Sequence, residues 1–141
     1  MQHIEVERLI AAPIEPVWER YTDHVSWTRW AGLGKVVLER EGVPAPNGVG
    51  CVRAIGSGPL TVYEEVLSFE APHSMTYRVV RGGLPMRDHL GEVVMTERDG
   101  GTHIRWRCQF EARIPGTGGP MRWLVTKVFR GALAGLAREH F

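Results

Sequence analysis

"THIRWRCQFEARI", residues 102–114, decides the fold. Ile104, Trp106, Cys108, Phe110 and Ala112 fall on one face of an extended chain, and His103, Arg105, Arg107, Gln109, Glu111 and Arg113 fall on the other. Such segregation at a period of two is the pattern of a strand with one wet face and one face that must be covered. The only stretch long enough to cover it follows "IPGTGGP". In "MRWLVTKVFRGALAGLAREHF", residues 121–141, Met121, Leu124, Val125, Val128, Ala132 and Leu136 recur at intervals of three and four. That spacing predicts a helix of about twenty residues, with Pro120 in its first turn and Gly119 as a possible cap. Gly131 and Gly135 each cost about 1 kcal/mol of helix propensity. Either close approach of the helix to the sheet offsets this, or the missing side chains keep a space open.

Working back toward the start, residues 2–10 alternate, with Ile4, Val6 and Ile10 opposite Glu5, Glu7 and Leu9, which predicts a half-buried first strand. Pro13 and Pro16 end it. "PVWERYTD" spaces Val17, Trp18 and Tyr21 as a helix, and Asp23 or Ser26 begins a second short one. From Lys35, "KVVLERE", "VGCVRAIG", "LTVYEEVLSF", "SMTYRVVR" and "HLGEVVMTER" precede the strand already described, separated by turns rich in Gly, Pro, Asn and Asp. Connections this short join antiparallel strands. The layout is strand, two short helices, six strands and a long helix, an α+β chain read as one domain over residues 1–141.

Composition narrows the function classes. The formal charge is +1 and hydrophobic residues make up 43%, with no global pull toward nucleic acid or an anionic membrane. No apolar run approaches the ~18 residues of a membrane span, and "MQHIEVERLI" lacks the pattern of a secretion signal, so no stable membrane insertion and a cytoplasmic setting are expected. Cys51 and Cys108 form no CxxC, and the six histidines show no metal-ligand spacing, so neither metal nor cofactor is expected. "GSGP" and "GTGGP" are turns, not phosphate loops.

A twisted seven-stranded sheet curls, and one helix does not easily fill the volume it encloses. Alternation places Met75, Tyr77 and Val79 on one face, and His89, Val93 and Met95 on another. In the middle strand Tyr63, Leu67 and Phe69 compete with Val62, Glu64 and Val66 for the inner face, and the register stays open. With Trp18, Trp27, Trp30, Trp106, Cys108, Phe110, Val128 and Ala132, these residues predict an apolar chamber with a few polar handles. Leu84 and Met86 in "VRGGLPMRD", residues 80–88, either gate its opening or form the tip of a tight hairpin.

The N-terminal "IAAPIEPVWERYTDHVSWTRW", the central "EEVLSFEAPHSMTYRVV" and the late "GGTHIRW" resemble the START-related, Bet v 1-like superfamily, and within it the bacterial polyketide cyclase/dehydrase-like group. The resemblance implies a helix-grip fold: a seven-stranded antiparallel sheet wrapped around the long C-terminal helix, with two short helices closing one end. It further implies an internal cavity for a lipid, sterol or polyketide-like ligand. Some relatives catalyse cyclisation or dehydration and many only bind, so catalytic residues do not carry over.

Three function classes follow. The first is binding of a hydrophobic small molecule. In the second, an acid/base enzyme, His89 is the candidate base and Tyr77 or Tyr63 the donor to a developing enolate. Cys108 is a candidate nucleophile only if a base or cation stands beside it. The third is a protein-interaction module, favoured if Trp27 or Trp123 is exposed. Monomer and homodimer are both compatible with the sequence. Arginines on the outer face of residues 102–114 make no nucleic-acid site, because the aromatics that would stack on bases lie on the opposite face.

Overall fold

The alternation of residues 102–114 becomes the last strand of a seven-stranded sheet. The computed structural model describes Met1 to Phe141. Its elements are β1 (Gln2–Ile10), α1 (Ile14–Thr22), a 3-10 turn (His24–Ser26), α2 (Trp27–Trp30), β2 (Val36–Arg40) and β3 (Val52–Ile55). A second 3-10 turn (Gly58–Leu60), β4 (Val62–Glu70), β5 (Ser74–Gly82), β6 (Met86–Arg98), β7 (Gly101–Ala112) and α3 (Gly118–Ala137) complete the chain. The strand order is β1-β7-β6-β5-β4-β3-β2, every neighbouring pair antiparallel. The first strand thus pairs with the last, Val6 opposite Trp106, and the curved sheet wraps around α3.

Binary pattern explains the strand faces. Ile4, Val6 and Ile10 of β1 are buried while Leu9 is exposed, and Ile104, Trp106, Cys108 and Phe110 of β7 are buried on the same side. The outer face carries cross-strand ion pairs, Arg105 with Glu5 and Arg107 with Glu92. Being exposed, they keep the face solvated and add little stability.

The middle strand resolves its competing faces by a bulge. Val66 pairs with Tyr77 and Ser68 with Thr76, so Leu67 is the extra residue and turns to solvent. Before the bulge Val62, Glu64 and Val66 face inward; after it Phe69 does, meeting Trp18 edge-on with ring centroids 5.4 Å apart. The expected face of Tyr63, Leu67 and Phe69 is therefore corrected. Tyr63 lies on the outer surface under the Arg81 guanidinium, 3.9 Å from the ring centroid.

Helix α3 begins at Gly118, before the expected start, with Thr117 rather than Gly119 at its N-cap. The Thr117 hydroxyl donates back to the Ile114 carbonyl instead of capping the helix. The two helical glycines differ. A Cβ on Gly135 would stand 1.9 Å from the Trp30 carbonyl oxygen, so close approach explains that position, the neighbour being α2 rather than the sheet. A Cβ on Gly131 would meet nothing within 4 Å.

Candidate functional site

Where α3 leaves the sheet, the interior opens into a cleft of about 200 Å³. Sixteen of its nineteen lining residues are hydrophobic, and the other three are Gly83, Glu64 and His89. The floor is built by Trp106 of β7 stacked on Phe129 of α3, their centroids 3.9 Å apart and their planes 11° from parallel. Leu124, Val125 and Val128 continue the α3 wall, and Cys108 and Phe110 continue the β7 wall. Leu60 and Leu124 are exposed at the rim, so the opening lies between the Gly58–Leu60 turn, the β5–β6 hairpin and α3.

That hairpin is tied down as well as placed at the opening. Gly82 and Gly83 adopt positive φ, and the Gly83 N–H donates to the Thr61 carbonyl at 3.1 Å. A Cβ on Gly82 would stand 2.1 Å from the same oxygen. Leu84 and Met86 line the cleft from this hairpin.

The polar end is a connected cluster. Arg53 of β3 is fully buried, its guanidinium 4.5 Å from the Trp27 ring centroid and 4.6 Å from that of Tyr77. Its Nε donates to Glu64 Oε1 at 3.0 Å, and Nη2 lies 2.8 Å from the same oxygen without hydrogen-bond alignment. The Trp106 indole N–H donates to Tyr77 Oη at 2.7 Å. His89 stands beside Tyr77, ring centroids 5.6 Å apart, and its Nδ1 accepts the Val79 N–H at 3.1 Å. Burial holds His89 below its ordinary range. A neutral ring with Nδ1 accepting carries its proton on Nε2, so His89 stands as a donor in this state. Burial also pushes the Cys108 thiol up to about 12, with the Glu64 charge adding to the effect, which removes the thiolate that nucleophilic attack requires.

Of the residues expected to line a chamber, the structure brings Tyr77, His89, Trp27, Leu84, Met86, Trp106, Cys108, Phe110 and Val128 to one cleft. Trp18, Trp30, Met75, Met95 and Ala132 are buried in the core instead, Phe69 packs against it, and none of these lines the cleft. Their bulk fills the space that the helix leaves under the rest of the sheet. Tyr63 and Leu67 lie outside for the register reason given above, so Tyr63 donates nothing into the cleft. Trp27 is buried, whereas Trp123 is 66% exposed, with the Lys127 ammonium 5.3 Å from its ring. No group of three His, Cys, Asp or Glu side chains gathers as a metal site.

Arg53 and Glu64 form the ion pair at the polar end of the cleft, which the sequence pattern did not single out. The signal was the charge between Val62 and Val66, on a face otherwise apolar. Arg53 carried none, since "VGCVRAIG" alternates no more clearly with it inside than outside.

Residues 1–140 match the family model described as polyketide cyclase / dehydrase and lipid transport. The chain belongs to this family. Its fold recurs in a protein from Thermobifida fusca, 21% identical with a TM-score of 0.82, the match covering 97% of this chain and 91% of that one. XoxI from Bacillus cereus is 17% identical with a TM-score of 0.79, covering 98% and 94%. A protein from Nitrosospira multiformis is 19% identical with a TM-score of 0.79, covering 99% and 97%. At such identities the likeness concerns the fold alone. No curated protein sequence matches the chain. Family and fold together support a cavity of the kind that binds hydrophobic ligands.

Proposed function

We propose that this protein binds a small apolar molecule in the cleft between its sheet and α3. The observation that carries the reading is the lining itself, sixteen hydrophobic residues of nineteen around about 200 Å³. Each Å² of apolar ligand surface removed from water contributes about 25 cal/mol, so such a lining binds without exact polar matching. The volume lies below the ~300–1,000 Å³ that hold drug-sized ligands, which favours a one- or two-ring, polyketide-like compound over a sterol or a two-chain lipid.

The test is titration with the neutral probe N-phenyl-1-naphthylamine, followed by its fluorescence and by quenching of tryptophan emission. Saturable one-to-one binding is expected for the wild type. Val128→Trp, which fills the cleft from α3, is expected to weaken it at least about tenfold while the far-ultraviolet circular dichroism stays unchanged. Failure of the wild type to bind, or unaltered binding in the folded V128W variant, overturns the reading.

A second reading, acid/base turnover of a keto compound, is supported by Tyr77, His89 and Glu64 reaching the same cleft. Glu64 would then take the proton beside the carbonyl, and Tyr77 or the His89 Nε2–H would donate to the enolate oxygen, since His89 Nδ1 is already engaged. Full turnover by both Y77F and E64Q on a substrate the wild type converts would exclude it.

A further inference from the structure

The cleft is mostly apolar but not neutral in what it displays. Arg53 is the cation of the polar cluster, and it does not line the cleft: it is wholly buried, with the Trp27 and Tyr77 rings against its guanidinium. Its contacts to Glu64 both fall on Oε1. Glu64 does line the cleft, and its Oε2 has no hydrogen-bond partner. Among the nineteen lining residues Glu64 is the one carboxylate, and neither Lys nor Arg is among them.

The neighbouring polar atoms are donors. Tyr77 Oη already accepts the Trp106 N–H, so its own hydrogen is free for another acceptor. His89 Nδ1 is taken by the Val79 N–H, leaving Nε2 as the donor. Tyr77 and Glu64 share the inner face at diagonal positions, since Tyr77 pairs with Val66 and Glu64 with Val79. The polar end of the cleft therefore presents one charged acceptor beside two neutral donors.

We infer that the cleft selects apolar ligands bearing a hydroxyl, which donates to Glu64 Oε2 and accepts from Tyr77 or His89, and that it rejects carboxylates of the same shape. This rests on the cleft reading proposed above. A hydroxyl satisfies both kinds of partner at once, whereas a carboxylate brings like charge against Glu64 where little water intervenes. Arg53 does not relieve that repulsion, because it is engaged by Glu64 and closed off by the two rings. Its role is to hold the Glu64 carboxylate in place through Oε1, which makes Arg53 a positioning residue and Glu64 the specificity-determining one.

The experiment compares three probes of equal ring size, naphthalene, 2-naphthol and 2-naphthoate, by tryptophan quenching at about pH 7. A hydrogen bond to a charged group gives roughly ten- to a hundredfold in affinity. The wild type is expected to bind 2-naphthol at least about tenfold more tightly than naphthalene, and 2-naphthoate more weakly than either. In Glu64→Gln the disadvantage of 2-naphthoate against 2-naphthol is expected to shrink, because the like charge is gone. Since that variant leaves a buried charge unpaired, the double variant Arg53→Met with Glu64→Gln is measured alongside, and there the advantage of 2-naphthol over naphthalene is expected to fall by at least about threefold.

Binding of all three probes by the wild type within about threefold would overturn the inference while leaving the cleft reading intact. So would a preference for 2-naphthol over naphthalene that survives unchanged in the double variant. No binding of any probe, naphthalene included, would overturn the cleft reading and this inference with it.

Discussion

Arg53 and Glu64 show how much turns on one pair of side chains. A guanidinium with no exposure is tolerated because Glu64 supplies the opposite charge and two aromatic rings supply their negative faces. Removing one partner of such a pair strands the other. E64Q is therefore expected to lose about 3–5 kcal/mol of stability. Replacing both by R53M with E64Q is expected to recover most of it, because no buried charge is left to compensate. Urea denaturation of the three proteins checks this, and a double variant no more stable than E64Q would show that the pair does not act as a unit.

At the scale of elements, α3 is anchored to α2 at one residue. Gly135 lies under the Trp30 carbonyl, and the obstacle is backbone, which cannot swing aside as a flexible side chain would. Gly135→Ala is expected to destabilise the protein even though alanine gains about 1 kcal/mol of helix propensity over glycine. Gly131→Ala faces open space and is expected to stabilise by up to that same amount, about 1 kcal/mol. Opposite shifts in thermal midpoint for the two variants are the readout. Equal shifts would mean that α2 and α3 do not bear on each other as described. The pair also answers the question that the glycines raised in the sequence: close approach accounts for one, and no contact in the fold accounts for the other.

For the whole molecule, the buried His24 and the half-buried His89 link folding to pH. Burial, assisted by the Arg53 charge, holds His24 well below its ordinary 6.5, and burial holds His89 below the same value. The folded chain thus refuses protons that the unfolded chain accepts near pH 6.5, and the unfolded state binds more of them as the pH falls. The contribution of these groups is fully present above 6.5 and is lost as the pH drops through their lower folded values. Urea midpoints measured downward from about pH 7.5 are expected to stay level at first and then fall below about 6.5. A midpoint that rises on acidification would contradict the burial of these rings.

By itself the sequence determined the element order, the antiparallel pairing, and the inward faces of β1 and β7, because alternation at period two and short turns are local properties. It also brought Tyr77, His89, Trp27 and Trp106 forward as lining candidates, since bulky or polar groups at inward positions mark a chamber. It could not decide β4, where both faces carry apolar residues and one bulge at Leu67 sets which half of the strand faces which way. Nor could it separate Trp27, which reaches the cleft, from Trp18 and Trp30, which fill the core. Only the tertiary structure decided those, along with the meeting of Arg53 and Glu64. A cleft is the volume left over after distant elements pack, and no local periodicity records what a neighbouring strand or helix will leave unfilled.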